Sequence, residues 1–342
     1  MMEKSSNSVK RVQWLDVAKF FGIFAIYLGH FADAAGWGHY FVFAFHVPLF
    51  FFISGCTEAL NQDGILVSLY KKIKNIFIPY VVFAIAVIIV HTINTNAAQD
   101  TVKEYLLSAV QGAIRLQFFA GSLWFLTCLF VVSIVFTLIK KMKYKILILG
   151  VSLFFYTIAE TYFNGDPMGI FNVDSAMYYL IYYALGYLLF EKIDLLLSHK
   201  GFFSRSVLIL GGGYSIFYTI ALFFGNDLLH NLSSIPFLDF YLPVIKPCIV
   251  ILVVFIVSYI CQNVKLFNTL GRETLYLCGS EFLIKTFVPV TASILGLSVT
   301  FPTPLATYIY TFLLLLLAHK TLVPFEKRII TYIQVRLPKP KS

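Results

Sequence analysis

Long apolar runs, broken at short intervals by small polar clusters, dominate this chain. Scanned with a window of about 19 residues, it gives ten such runs, at 17–35, 38–57, 75–93, 121–139, 146–162, 175–190, 206–224, 241–261, 273–291 and 303–320. A membrane helix needs about 20 mostly apolar residues. The pattern therefore predicts an all-α, polytopic membrane protein with about ten transmembrane helices. The pieces between the runs, such as 140–145 (KKMKYK) and Gly225-Asn226-Asp227, read as short linkers. One membrane domain is expected over 17–320, preceded by a segment at 1–16 and followed by a tail at 321–342.

Composition agrees with the pattern. Hydrophobic residues make up 59% of the 342 and charged ones 13%, against roughly 45–50% and 25% in soluble chains. A mean hydropathy of +0.82 excludes disorder and coiled coils. The net charge of +9 is resolved by where the cations fall. If the first helix runs outward from the cytoplasm, the cytoplasmic segments hold Lys4, Lys10, Arg11, Lys71, Lys72, Lys74, the lysines of 140–145, Lys192, Lys200, Arg205, Lys265, Arg272, Lys320, Lys327, Arg328, Arg336, Lys339 and Lys341. External segments hold only Lys103 and Arg115. This asymmetry predicts N- and C-termini in the cytoplasm and no nucleic-acid partner. Asp16 and Lys19 interrupt the first apolar run and no small-residue cleavage site follows, so it reads as a retained helix rather than a signal peptide. Cys56, Cys128, Cys248, Cys261 and Cys278 lack metal-ligand spacing, and no metal is expected.

Lys19, Lys246 and Lys285 fall within predicted spans. A charge at membrane depth costs roughly 2.5–3.5 kcal/mol on insertion scales, so such groups usually face a cavity and carry function. In the first helix, Lys19 and His30 are eleven residues apart, close to three turns, which puts them on one stripe about 16 Å apart, with Asp16 and Asp33 near it. A second histidine lies in 45–55 (FHVPLFFFISG), where Pro48 breaks the backbone ladder and could aim His46 inward; a neighbouring carbonyl would satisfy it equally. Lys71 and Lys74 precede Pro79-Tyr80, either as phosphate-binding cations or as topology determinants alone. Trp124 opens a helix as a ligand contact or an interfacial anchor. Glu281 and Lys285 are spaced for an ion pair. Arg115 and Lys246, between Pro243 and Pro247, stand where they could meet an acceptor's polar groups.

These motifs have a family resemblance. The opening 14–19 (WLDVAK) with Leu28-Gly29-His30 resembles the first-helix signature of the acyltransferase 3 family of integral membrane acyltransferases, in which a basic residue precedes histidine with ten intervening positions. The segment 45–55 is similar to that of the fucose 4-O-acetylase-like branch. Lys71-Lys72-Ile73-Lys74 resembles the family's basic RxxR segment with lysine for arginine, and Leu123-Trp124-Phe125-Leu126 its WFL element. Residues 270–277 (LGRETLYL) resemble a further stretch. The family often has a histidine about ten residues after that glycine; here the position holds Glu281.

The resemblance implies an enzyme that moves an acyl group, usually acetyl from cytoplasmic acetyl-CoA, to a hydroxyl of a carbohydrate or cell-envelope molecule in a bacterial cytoplasmic membrane. The expected partners are membrane lipid, acetyl-CoA and a carbohydrate acceptor, reached directly or through a separate protein. Acyl transfer needs a base for the hydroxyl proton. His30 is the expected base, since imidazole titrates near neutral pH. Asp16 and Lys19 would orient that helix or contact the cofactor, and His46 would carry a proton or orient His30. Lys71 and Lys74 would hold CoA phosphates, and Arg115, Trp124, Glu281 and Lys285 would face the acceptor. Covalent acyl-histidine and direct transfer both remain open. The rival class is an exporter of a polysaccharide or lipid-linked glycan, whose pathway would also carry buried charges; a sensor or structural subunit is a third.

Overall fold

A computed structural model describes residues 11–163, 167–198, 212–213 and 236–338. Among these the chain is helical throughout, without strands. The α-helices are α1 (Gln13–Gly29), α2 (Trp37–Phe43), α3 (His46–Ala59), α4 (Ile65–Lys72), α5 (Ile78–Thr95), α6 (Gln99–Val110), α7 (Leu123–Ile139), α8 (Lys145–Tyr162), α9 (Val173–Ser198), α10 (Pro236–Ile260), α11 (Lys265–Arg272), α12 (Thr274–Ile294), α13 (Pro304–Lys320) and α14 (Leu322–Val335).

Among the described residues, five helical stretches are long and apolar enough to cross a membrane: Trp37–Ala59, Ile65–Thr95, Lys145–Tyr162, Phe240–Ile260 and Thr274–Ile294. A sixth is the pair α13 and α14, bent by 42°. The bend has a local cause, because Pro324 has no N–H to offer the Lys320 carbonyl. Of the other expected spans, 17–35, 121–139 and 175–190 correspond to α1, α7 and α9. The first two have 17 residues each, and α9 is diluted by tyrosines and by Asp174, Glu191, Lys192 and Asp194. The expected span 206–224 lies outside the described residues except for 212–213, and the Gly225-Asn226-Asp227 linker and Lys4, Lys10, Lys200, Arg205, Lys339 and Lys341 lie outside them altogether. Residues expected as part of a tail instead form α14, which buries Val323, Glu326 and Ile330.

α1 is the hub, packing against α2, α3, α10, α11, α12 and α13. Close helix crossings depend on small residues, as usual where lipid offers no hydrophobic drive. α3 and α9 are the most intimate pair; a Cβ on Gly55 would overlap the Tyr183 carbonyl, and one on Gly186 the Phe52 carbonyl. A Cβ on Gly271 would likewise overlap the Asp16 carbonyl, which seats α11 on the start of α1.

The end of the bundle where α1 begins holds most of the ion pairs, and we call it the basic end. Asp16, 4% exposed, accepts from Arg11 at 2.7 Å and lies 3.6 Å from both Lys19 and Arg272. Glu58 is buried between Lys72 (2.9 Å) and Lys140, with the Tyr183 hydroxyl donating at 3.2 Å. Glu273 pairs with His319 and Lys327, joining α12 to α13 and α14.

Candidate functional site

α1 ends at His30, and a tight 3-10 turn over Ala32–Ala35 follows, with Gly36 at φ +55°, a value that favours glycine. The histidine is thus lifted off the helix at the end remote from the basic one. Its Nδ1 lies 3.0 Å from Glu281 Oε1 on α12. An ionised carboxylate only accepts, so Nδ1 carries the proton, and in the neutral imidazole Nε2 presents its lone pair. Nε2 faces Gly121, where a Cβ would stand 3.7 Å away. The same Glu281 oxygen takes Lys285 Nζ at 2.7 Å, and that ammonium also donates to the Tyr27 carbonyl at 2.8 Å. Lys285 is further held 4.2 Å from the Phe31 ring centroid.

Glu281 and Lys285 are spaced by one turn, so both point at α1. Tyr27 Oη fixes that contact by donating to the Leu277 carbonyl (2.7 Å), and Ser122 Oγ, just before α7, donates to the Cys278 carbonyl (3.1 Å). Exposure separates the partners. The Glu281 side chain is 5% accessible, whereas that of His30 is 30%. The carboxylate is sequestered and the imidazole is open to a cavity.

That cavity, of about 700 Å³, is walled by α1, the α2–α3 junction, the loop 111–122, α7, α9 and α10. Its lining includes His30, His46, Arg115, Trp124 and Lys246, so residues far apart in sequence share one space. His46 Nδ1 donates to the Val42 carbonyl at 2.6 Å. The helix break falls before His46, at Ala44–Phe45, and Pro48 sits in the first turn of α3, where its missing N–H leaves no gap in the ladder. His30 donates its hydrogen bond to Glu281 rather than to His46. Asp33 is exposed on the 3-10 turn.

A second cavity of about 200 Å³ opens toward the basic end, lined by Lys19, Ser54, Gly271, Arg272, Thr274 and Cys278 among others. Ile26, Phe50 and Phe125 line both cavities, so three apolar side chains form their common wall. Lys71 and Lys74 line neither. Lys71 pairs with Asp63 at 2.5 Å. The turn before Pro79 widens to a π-type turn over Ile73–Phe77, and the Lys74 carbonyl accepts from Gln334 Nε2 at 2.7 Å.

Reading the sequence alone missed part of the wall. Tyr178, Tyr179 and Tyr182 line the large cavity; the tyrosine-rich run in 178–183 is the signal that pointed to them. Arg272 at the inner cavity stood inside a recognised motif without an assigned role. Pro247 cannot donate to the Pro243 carbonyl, which accepts from Tyr182 Oη at 2.9 Å and ties α10 to α9. No group of residues that could hold a metal ion occurs among the described residues.

Comparison with known proteins returns one finding. The model of the acyltransferase 3 family, described as an acyltransferase domain, matches residues 12–334. No curated protein and no solved structure matches. The matched region takes in the His30 helix, the α3 segment, α7 and the Glu281 helix, nearly the whole chain, and the protein therefore belongs to the acyltransferase 3 family.

Proposed function

We propose that this protein is a membrane O-acyltransferase that moves an acetyl group from cytoplasmic acetyl-CoA to a hydroxyl of a cell-surface polysaccharide or its lipid-linked precursor. The observation that carries the reading is the His30–Glu281 pair, with the imidazole open to a large cavity. In this reading the chain crosses the membrane about ten times, the basic end and both termini face the cytoplasm, and the large cavity faces outward. The motif resemblance to the fucose 4-O-acetylase-like branch favours a carbohydrate acceptor.

The donor enters at the small cavity, where Lys19 and Arg272 meet its polar groups. Its thioester passes between Ile26, Phe50 and Phe125 to reach His30. These side chains keep water from a path that must cross the membrane. His30 Nε2 takes the proton from the acceptor hydroxyl as its oxygen attacks the thioester carbonyl carbon. Glu281 holds the ring in the required tautomer and balances the imidazolium that forms. The tetrahedral intermediate then collapses, the C–S bond breaks, and the imidazolium returns the proton to the CoA thiolate. Lys285 keeps Glu281 ionised and fixed.

The test follows labelled acetyl from acetyl-CoA into envelope polysaccharide in cells carrying His30→Ala or Lys19→Ala at normal membrane levels. Loss of the ester with the polymer still at the surface supports the reading. Undiminished transfer in His30→Ala overturns the assignment, and loss of the polymer itself points to export.

A further inference from the structure

The large cavity has an unbalanced charge. Arg115 and Lys246 both line it, and no Asp or Glu is among its lining residues; the adjoining cavity of about 340 Å³ that Arg115 also lines holds Glu160 and Asp174, and Asp174 there accepts from the Met168, Gly169 and Ser175 amides. Neither cation has a carboxylate within 4.0 Å among the described residues, whereas Lys19, Lys71, Lys72, Lys103, Lys140, Lys285 and Lys327 all do. Glu281 does not line this cavity, and its Oε1 already pairs with Lys285 and His30. Arg115 Nε is moreover fully buried and has no hydrogen-bond partner among the described residues. A buried guanidinium donor left unpaired is costly.

The backbone around Arg115 is built to hold it there. The loop 111–122 places Ala113 at φ +49° and Leu116 at φ +67°, conformations that side-chain-bearing residues rarely adopt, beside Gly112 at φ +97°. Asn172, itself at φ +57°, fastens the loop. Its Oδ1 accepts from the Arg115 amide at 2.8 Å, while its Nδ2 donates to the Gly112 carbonyl (3.0 Å) and Thr127 Oγ1 (2.9 Å). Gln117 Nε2 adds a bond to the Pro167 carbonyl at 2.8 Å. The guanidinium carbon lies 5.6 Å from the Trp124 ring centroid, within cation–π range. Strain, a locking asparagine and an unpaired donor all converge on one side chain.

We infer that the acceptor is an anionic sugar, and that Arg115 and Lys246 bind its phosphate or carboxylate while a hydroxyl of the same molecule lies toward His30. Arginine's planar fork matches an oxyanion in two places, and lysine adds a point charge. The tyrosines of α9 and Trp124 supply the apolar faces on which sugar rings pack. The inference rests on the acyltransferase reading for the role of the bound sugar, but not for the binding itself.

Calorimetry on the purified full-length protein, at low salt, tests it with three probes: glucose 1-phosphate, glucuronate and methyl glucoside. We expect at least one anionic probe to bind at least tenfold more tightly than the neutral one, and the better of the two names the oxyanion. Arg115→Gln and Lys246→Gln each remove most of that preference, while Arg115→Lys keeps part of it; unchanged thermal stability of Lys246→Gln shows that misfolding is not the cause. Equal binding of all three probes overturns the inference. So does an Arg115→Gln protein whose affinity for CoA falls while that for the anionic sugar does not, because the cations then serve the donor. Binding is read without turnover: anion preference in a protein that never releases CoA sinks the acyltransferase reading and leaves this one standing.

Discussion

Two buried glutamates, Glu58 near the basic end and Glu281 near the other, have the same local chemistry and opposite surroundings. Each sits between two basic side chains, Lys72 and Lys140 in one case and His30 and Lys285 in the other. Around Glu58 both cations have buried side chains, Lys72 and Lys140 at 8% and 7% side-chain exposure, and neither lines either cavity. Around Glu281 one partner is a histidine that turns its second nitrogen to a cavity. A buried carboxylate between cations is therefore no sign of function by itself. What distinguishes the pair at Glu281 is an unused valence facing open space.

The comparison can be broken most directly at His30. His30→Ala should lower acetyl transfer by about 10²–10⁴-fold, the usual worth of a general base, while leaving the melting temperature unchanged. A labelled-acetyl assay at matched protein levels checks this, and a drop of less than tenfold would remove His30 from the chemistry. Glu58→Ala should do the reverse. Leaving two lysines uncompensated in a buried site costs about 3–5 kcal/mol of stability, seen as a lower midpoint in thermal denaturation, with the activity per folded molecule retained. Equal damage to both properties would merge the two sites.

Glu281→Gln sharpens the contrast, since it keeps the shape and loses the charge. Turnover should fall roughly tenfold to a hundredfold, or about 1.4–2.7 kcal/mol of barrier, with little change in the KM for acetyl-CoA. A rise in KM alone would make Glu281 a donor contact rather than a positioning residue for His30. The smallest effect belongs to Lys71→Ala. Its pair with Asp63 is more than half exposed on the lysine side, so the loss should stay within about 1 kcal/mol and acetyl transfer within twofold. A strong rise in the KM for acetyl-CoA would return Lys71 to the phosphate site that its motif first suggested.

Particular residues show how far the sequence was legible. The shared stripe of Lys19 and His30 follows from helix geometry, and the structure places Lys19 in the first half of α1 and His30 just past its last residue, each on its own cavity. Glu281 stood out in the sequence as a departure at a position where the family often has histidine, but its hydrogen bond to a residue 251 positions earlier was not visible there. Lys71, Lys72 and Lys74 look alike on paper. They divide into a surface pair, a buried structural pair and a residue outside both cavities because Asp63 and Glu58 lie where α3 and α4 happen to meet. Arg115 stood out in the sequence as an external cation that could meet an acceptor, but the strained loop that holds it depends on Asn172, 57 positions away.

Taken by itself, the sequence determined that the chain is helical and rich in apolar segments, that its cations concentrate in alternate polar segments, and that a small set of polar residues interrupts the apolar runs. Local physics suffices for these, because helix period, hydrophobic length and charge asymmetry are properties of short stretches. Only the tertiary structure decided which polar groups neutralise one another, which remain open, and where a cavity lies. Those outcomes depend on contacts between distant helices. A charged side chain's partner, and hence whether any of its binding capacity is left over, is fixed by packing rather than by neighbours in the chain.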